Sequence, residues 1–352
     1  LIVIAQIICF FDKIIRVPAA PSSEVYLLHS YALAQDSGHF TIYFLCGGGL
    51  LILTVRSFLI CNFLKPIWRI FVKPFASETL ETRFIYWVVM GRSLNLDNPE
   101  DFNEKLQWLK LNWKDPLISD CADKYGVRKY VEAHGCGDVL NELYGVYNRT
   151  VDIPWESLPD KFVLKCTHGC GYNIICADKK SLNKHSTLAK LEQWMRSKYG
   201  LRYAEYHYLS ITPRIICERY IETEAGFTPN DYKIFCFSGK PHYVAVGIDR
   251  ATNIKWHFLD MEWKHLDIAL PDHNKGNPPI KPACWDRMVD VAIKLSQPFP
   301  FVRIDLYDDN GRVIFGEMTF TPAACMNHGY YSKKGLLYIG GLMSLPKVKA
   351  TI

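Results

Sequence analysis

The sequence predicts an α+β protein, antiparallel hairpins packed with amphipathic helices, and three features carry that expectation. Residues 301–322, FVRIDLYDDNGRVIFGEMTFTP, hold two runs of alternating apolar and polar side chains joined by a turn signal. Residues 231–248 form a second such pair around Ser238-Gly239-Lys240-Pro241. Bulky apolar residues recur at helical spacing in two other stretches: Phe102, Leu106, Leu109 and Trp113, then Leu188, Leu191, Trp194 and Met195.

The N-terminus reads differently from the rest. Leu1 to Phe11 is nearly all apolar, and Phe40 to Leu64 is an apolar run interrupted by Arg56. A span of roughly 20 residues crosses a bilayer, but Gly47, Gly48, Gly49 and the arginine make a poor helix of that kind. The first methionine is Met90. Residues 1–75 therefore read as a membrane anchor, an amphipathic surface segment, or translated sequence upstream of the true start, the last being preferred. Residues 76–150 read as a helical subdomain and 151–345 as the catalytic domain.

From 84 onward the elements follow in order. Residues 94–99 are turn-rich, and Asp101 is placed to cap a helix from Phe102 to Leu111. A second helix, Leu117 to Ala133, carries Asp123, Lys124 and Arg128, charges that without further context read as a solvated face. Pro159-Asp160 introduces a strand from Phe162 to Cys166, with Lys165 on the side opposite Phe162 and Leu164. The glycine loop His168-Gly169-Cys170-Gly171-Tyr172-Asn173 leads into a strand from Ile174 to Ala177. Such a loop lets backbone N–H groups approach a phosphate, although a plain turn explains it as well. An amphipathic helix over 182–199 and a strand from Arg214 to Glu222 follow. The 231–248 hairpin has Asp231, Lys233 and Phe235 on one face, and a helix from Asp286 to Ser296 precedes the last hairpin.

In that last hairpin Val302, Ile304 and Leu306 alternate with Arg303, Asp305 and Tyr307; Ile314, Met318 and Phe320 alternate with Glu317, Thr319 and Thr321. Both apolar sets can share one core only if the turn holds an odd number of residues. A two-residue Asn310-Gly311 loop would turn Glu317 away from Asp305, so a three-residue loop, Asp309-Asn310-Gly311 with Gly311 left-handed, is expected. Asp305 and Glu317 then converge, and hard oxygens on adjacent strands suit Mg²⁺. On these residues alone, a half-exposed hairpin with a charged outer face stands equally well.

Composition narrows the classes. A net charge of +5, with lysines and arginines scattered along the chain, argues against duplex nucleic acid and leaves anionic phosphates open. The 12 cysteines show no framework spacing and lie mostly in apolar runs, as reduced thiols of a cytosolic protein would. Cys166, His168 and Cys170 match no standard zinc spacing. No Walker loop, internal repeat or Ser-His-Asp arrangement is present.

Taken in order, these pieces resemble an ATP-grasp protein, in which two antiparallel-sheet-plus-helix subdomains sandwich ATP, here preceded by a helical N-terminal region. More narrowly, LNLDNPEDFNEKLQWLKL, ADKYGVRKYV, LPDKFVLKCTHGCGYN, PRIICERYI, DYKIFCFSGKP and FPFVRIDLY…FGEMTFTP resemble the TupA-like branch over about 84–345. That branch is linked to teichuronopeptide and cell-surface polysaccharide synthesis, and its members are often labelled glycosyltransferases. The resemblance implies that Lys124 lies at the edge of a nucleotide site, Lys165 contacts ATP phosphates, and Gly169, Cys170 and Gly171 form a flap over them. It makes Glu218, Arg219, Tyr220 and Ile221 the hinge against adenine and Glu222 a partner of the ribose hydroxyls. It gives Lys233 to the phosphates or acceptor, Asp305 and Glu317 to Mg²⁺, and Arg303 to the transferring phosphoryl group. Thr319 departs from the asparagine common at that metal-binding position. Cys170 and Tyr172 replace small flap residues, and the segment after Pro322 is poor in glycine.

The chemistry so implied is an ATP- and Mg²⁺-dependent carboxylate–amine ligase that joins an amino-acid or other carboxylate donor to a polysaccharide-precursor acceptor through an acylphosphate. It acts in the cytoplasm, with the 40–64 run as a route to membrane contact and no nucleic-acid partner. Two other readings stand: a glycosyltransferase, which would need a DxD-like motif where Asp308-Asp309 sits at a turn tip, and a non-catalytic nucleotide-binding scaffold.

Overall fold

The computed structural model describes residues 68–222, 229–249 and 254–347; the apolar segments at 1–11 and 40–64 lie outside them. The chain divides into two compact units, Leu1–Leu94 and Asn95–Ile352. In the first, helix α1 (Glu78–Met90) is capped by Ser77, whose hydroxyl accepts the Leu80 N–H, and ends at Gly91 with a left-handed φ of 72°. Trp68 stacks on Phe84 with ring centroids 3.9 Å apart. No helix among the described residues is long and apolar enough to cross a membrane.

The second unit opens with α2 (Phe102–Asn112), started by a reciprocal capping box between Asp101 and Glu104. The single helix expected over 117–133 is two, α3 (Pro116–Ala122) and α4 (Val127–Ala133). The chain breaks at Asp123, whose carboxylate accepts the Tyr125 N–H at 2.9 Å and so competes with the helix for that donor. A Cβ at Gly126 would come within 3.2 Å of the Asp120 carbonyl oxygen, a tight fit at the kink.

A four-stranded antiparallel sheet follows, built from β1 (Leu143–Tyr147), β2 (Phe162–Cys166), β3 (Asn173–Cys176) and, after helix α5 (Lys184–Met195), β4 (Ile215–Arg219), in the order β1-β4-β2-β3. Leu191 of α5 packs with Phe162, Leu164 and Cys217. Strand β1 falls in the segment expected to be helical, so a boundary at 150 would cut the sheet. Its five residues are all half-buried, which leaves no alternation for periodicity to detect.

The second sheet has the order β7-β6-β5-β8-β9, from β5 (Asp231–Phe237), β6 (Lys240–Ile248), β7 (Lys255–Asp260), β8 (Phe301–Asp309) and β9 (Arg312–Thr319). On one face Ile234, Cys236, Val244, Val302 and Ile304 meet Met288, Val291 and Leu295 of helix α6 (Trp285–Ser296). On the other, Phe235, Phe237 and Phe301 meet Phe102 and Leu106 of α2, together with Leu336 and Ile339 of α7 (Lys333–Leu342). Phe102 is central: its ring lies 5.4 Å from Phe301 and 6.1 Å from Tyr331, both edge-on. Full burial of a phenylalanine contributes about 1.5–3 kcal/mol.

The β8–β9 turn corrects one expectation and preserves its consequence. The loop is the two-residue Asn310-Gly311 pair, with φ of 54° and 86°, and Asp309 pairs with Arg312. The odd residue sits inside the strand instead. Asp305 pairs with Glu317 and Leu306 with Phe315, leaving Gly316 as a bulge. A Cβ there would lie 2.9 Å from the Asp305 carbonyl oxygen, so the bulge closes only around glycine. Beyond the bulge the faces exchange: Val313 and Phe315 join the core, and Ile314 pairs with Tyr307 on the other side.

Candidate active site

The bulge brings Asp305 and Glu317 to one face of the sheet, and three cations meet them there. Arg303, two residues before Asp305 on the same face, binds both its oxygens at 2.6 and 2.7 Å and reaches Glu317 at 3.4 Å. It also donates to the Thr319 hydroxyl at 3.0 Å, which in turn donates to Glu317 at 2.9 Å. Lys233, opposite Asp305 in the β5–β8 register, contacts Asp305 at 2.5 Å and Asp231 at 2.7 Å. Lys124 comes to 3.9 Å of Glu317 from the α3–α4 break.

These charges set the protonation states. Burial pushes the Glu317 carboxyl up, but Lys124, Arg303 and Lys233 together outweigh it and hold it down at about 2. Burial raises the Asp305 carboxyl against the opposing pull of Arg303 and Lys233. For Lys233 burial lowers proton affinity, but Asp305, Asp231 and Glu317 together more than compensate and the ammonium is kept.

The glycine loop joins this cluster through Lys124, whose ammonium donates to the Gly169 carbonyl at 2.5 Å. A Cβ on Gly169 would lie 2.8 Å from the Tyr199 ring, so close packing demands the first glycine; Gly171, with φ of 74°, meets the turn's need for a left-handed residue. Tyr172 folds back, stacked on Trp194 with centroids 5.1 Å apart and bonded to Ser197 at 2.8 Å, while Cys170 is exposed at the tip. His168 is buried against the Trp194 carbonyl, with Nε2 at 3.0 Å. Among the described residues no group of three or more His, Cys, Asp or Glu side chains is arranged to hold a metal unaided.

Beside the cluster a cleft of about 100 Å³ opens between the sheets, lined by Val163, Lys165 and Ile175 from one side and Tyr307 from the other, with Arg219, Tyr220 and Ile221 along its edge. Lys165 is paired with Glu218 at 2.7 Å, and Arg128 approaches the same carboxylate at 3.4 Å. The Glu218 side chain is therefore committed to cations, not to a ligand. Arg219 crosses to Asp309 at 2.5 Å and ties β4 to β8. Glu222 is exposed and paired with Lys161, and it is not among the residues lining the cleft.

The residues singled out in the sequence thus fall into three groups. Asp305, Glu317, Thr319, Arg303, Lys233, Lys124 and Gly169 form one connected network. Lys165, Arg219, Tyr220 and Ile221 line the adjoining cleft. Cys170 is exposed at the tip of the loop beside that network, and Glu222 stands apart from both.

Other polar residues were not legible as part of the site. Asn141 donates to the Arg219 carbonyl at 2.8 Å, and Arg128 donates to the Asn141 carbonyl at 2.9 Å, so the cleft edge is braced from α4. Beyond β9, Thr321 donates to Glu205 at 2.6 Å, and Ala323, Ala324 and Cys325 run left-handed with φ of 50°, 52° and 61°. Gln107 of α2 donates to the Ala324 and Cys325 carbonyls at 3.4 and 3.3 Å. Asn103, one turn earlier, accepts the Asn327 N–H at 2.9 Å. The available signal was Asn103 and Gln107 at i and i+4, a polar pair flanking the apolar stripe of α2.

Two sheets facing each other across a cleft, with clustered acids and cations beside it, define an ATP-grasp architecture. A family model described as TupA-like ATPgrasp matches residues 104–335, about two-thirds of the chain, and the chain belongs to that family. No match was found among curated proteins. Among solved structures, a D-alanine–D-alanine ligase from Bacillus anthracis is similar at 13% identity and a TM-score of 0.36, over 58% of this chain and 59% of that one. An L-amino acid ligase from Bacillus licheniformis aligns at 14% identity and 0.38, over 60% and 46%. A D-alanine–D-alanine ligase from Helicobacter pylori aligns at 16% identity and 0.37, over 68% and 62%. The chain therefore spans less than two-thirds of each of these enzymes.

Proposed function

We propose that the protein is an ATP- and Mg²⁺-dependent carboxylate–amine ligase acting through an acylphosphate, in the biosynthesis of a cell-surface polysaccharide or teichuronopeptide. The observation that carries this reading is the Asp305–Glu317 pair, set among Lys124, Lys233 and Arg303 at the mouth of the Lys165–Tyr220–Ile221 cleft. The pathway rests on the family resemblance alone. The proposed use of ATP supports a cytoplasmic location.

The donor set fits Mg²⁺. Asp305, Glu317 and Thr319 offer only hard oxygens, and with two carboxylates and a hydroxyl the remaining ligands must come from water and substrate phosphate, as Mg²⁺ prefers. Asp305, Glu317 and Thr319 would hold the ion, which when bound would supply positive charge to offset that of the triphosphate.

The chain's own residues do the rest. Without nucleotide, Lys124, Lys233 and Arg303 are paired with carboxylates. A triphosphate entering beside them would supply competing oxygens, so these cations are already in place to bear its charge. Lys165 faces the cleft from β2 and would meet the phosphates, while the backbone of Tyr220 and Ile221 would present its N–H and C=O groups to the adenine edge. A substrate carboxylate oxygen attacks the γ-phosphorus as ADP leaves; an amine then attacks the acyl carbon, the C–N bond forms, and phosphate departs. Positioning and charge stabilisation suffice, and no protein nucleophile is required.

The test is a mass-spectrometric search for an ATP-requiring, amine-dependent product, followed by variants. Lys165→Ala and Asp305→Asn are expected to lower ADP formation with the productive pair by at least a hundredfold. Wild-type rates in either would remove the site.

A further inference from the structure

Both oxygens of Asp305 are occupied by cations. Its Oδ1 accepts from Arg303 at 2.6 Å, and its Oδ2 accepts from Arg303 at 2.7 Å and from Lys233 at 2.5 Å. A metal ion at this carboxylate competes for the same lone pairs and repels the same charges, so at least one cation must give way. The second carboxylate of Arg303 is Glu317, itself one of the proposed metal ligands. Lys233, by contrast, has a carboxylate partner outside that set: its ammonium also lies 2.7 Å from Asp231.

The fold gives the lysine few other places to go. Asp231 and Lys233 are two residues apart on β5 and share a face with Asp305, which pairs with Lys233 across the β5–β8 ladder. The Asp231 and Lys233 side chains are 5% and 17% exposed, so an ammonium released by Asp305 finds little water, and a buried charge without a partner is costly. Trp256 closes the other side. It pairs with Gly247, which pairs in turn with Asp231, and a Cβ on Gly247 would lie 3.0 Å from the indole. The glycine lets the ring lie across β6, with its centroid 6.0 Å from the Lys233 ammonium. Among the described residues Asp231, Asp305 and Glu317 are not grouped as a three-acid metal site, so Asp231 serves the lysine and is not a third ligand.

We propose that Asp231 is the counter-ion that takes over Lys233 when Asp305 turns to a divalent metal ion. It is a positioning residue: it acts through Lys233, frees Asp305 to bind the metal, and keeps the ammonium in the site. The proposal rests on the ligase reading and adds to it a residue whose role is the hand-over of one lysine between two carboxylates. Charge balance agrees. Lys124, Lys233 and Arg303 face Asp231, Asp305 and Glu317, and loss of the Asp231 charge alone leaves the cluster one unit positive, which opposes a cation.

The test titrates the full chain with Mn²⁺ at constant ionic strength, with and without equimolar AMPPNP, and follows the free-ion EPR signal. Asp231→Asn should weaken Mn²⁺ binding about fivefold or more, a coupling usual for side chains in contact. Metal-free AMPPNP should bind this variant no more weakly than wild type, whereas a merely structural defect would weaken both ligands. In a Lys233→Met background the competitor for Asp305 is gone, so adding Asp231→Asn should change Mn²⁺ affinity by less than about twofold. That double variant removes both members of the buried pair and is expected to fold even where Asp231→Asn does not, so its comparison with Lys233→Met decides the matter by itself. Wild-type Mn²⁺ affinity in Asp231→Asn, the same fold-loss in both backgrounds, or no saturable Mn²⁺ binding by wild type in either series would each overturn the hand-over. Mn²⁺ binding by a wild-type protein that does not bind AMPPNP counts against the ligase reading, and the metal comparisons still decide the role of Asp231.

Discussion

Asp305 stands directly across the β8–β9 ladder from Glu317 because Gly316, a residue with no side chain of its own, is left out of the pairing between them. The bulge turns Glu317 onto the Asp305 face after a tight two-residue loop. Without it, Glu317 would point into the α6 core. The geometry of the candidate metal site thus depends on an uncharged residue next to it.

Gly316→Ala is accordingly expected to destabilise the protein by about 1–3 kcal/mol through overpacking against the Asp305 backbone and the Tyr307 ring. Mg·nucleotide affinity should fall with it. Urea denaturation and a nucleotide titration measure the two effects; unchanged stability would mean that the bulge relaxes without cost.

Asp305→Ala should cost about 3–5 kcal/mol, because it leaves Arg303 and Lys233 buried with a partner removed. Glu317→Ala should cost less, since its side chain is 30% exposed against 2% for Asp305 and hydration can replace part of what is lost. Denaturation of the two variants without nucleotide checks the order, and the reverse order would contradict the charge network described above.

His207 predicts a pH dependence. Burial and the nearby Lys110 and Lys114 charges depress its imidazole to about 3, and its Nε2 is buried without a partner. An unfolded histidine takes a proton near 6.5, so the unfolded state binds the proton first as pH falls. The stability contribution is therefore complete well above 6.5 and is lost progressively toward 3, amounting to roughly 3 kcal/mol by pH 4.5. In His207→Phe that part of the slope should disappear from a denaturation series between pH 7 and 4.5; an unchanged slope would assign the dependence to other groups.

The left-handed turn gives a test of opposite sign. Ala324→Gly removes a Cβ from a residue at φ of 52° and should be neutral or stabilise by up to about 1 kcal/mol, if steric relief exceeds the added freedom of the unfolded chain. Ala292→Gly, in the middle of α6, should destabilise by about 1 kcal/mol or more. Melting temperatures of the two variants report the difference, and a destabilised Ala324→Gly would show that the turn is not strained.

Much of this architecture was readable from local pattern. Strands β2 and β5 run over the expected residues, α2 and its Asp101 cap stand where the capping signal put them, and the apolar stripe of α5 faces its sheet. Alternation also showed that Asp305 and Glu317 had to share a face if their strands shared a core. Less was legible where a residue's role is set by a distant partner. Arg128 read as a solvated charge and proves to be held by Glu218 and Asn141. Glu222 read as a ribose contact, and its pairing with Lys161 was not legible.

By itself the sequence determined the α+β class and the order of the elements, because these follow from periodicities of two and 3.6 residues and from turn chemistry that acts over a few positions. Only the tertiary structure decided that the odd residue lies at Gly316 and not in the loop, that a helix break delivers Lys124, and that Glu205 and Gln107 both bond to residues 321–325. Bulges, breaks and buried polar contacts settle where long-range packing leaves room for them, and spacing along the chain carries no measure of that room.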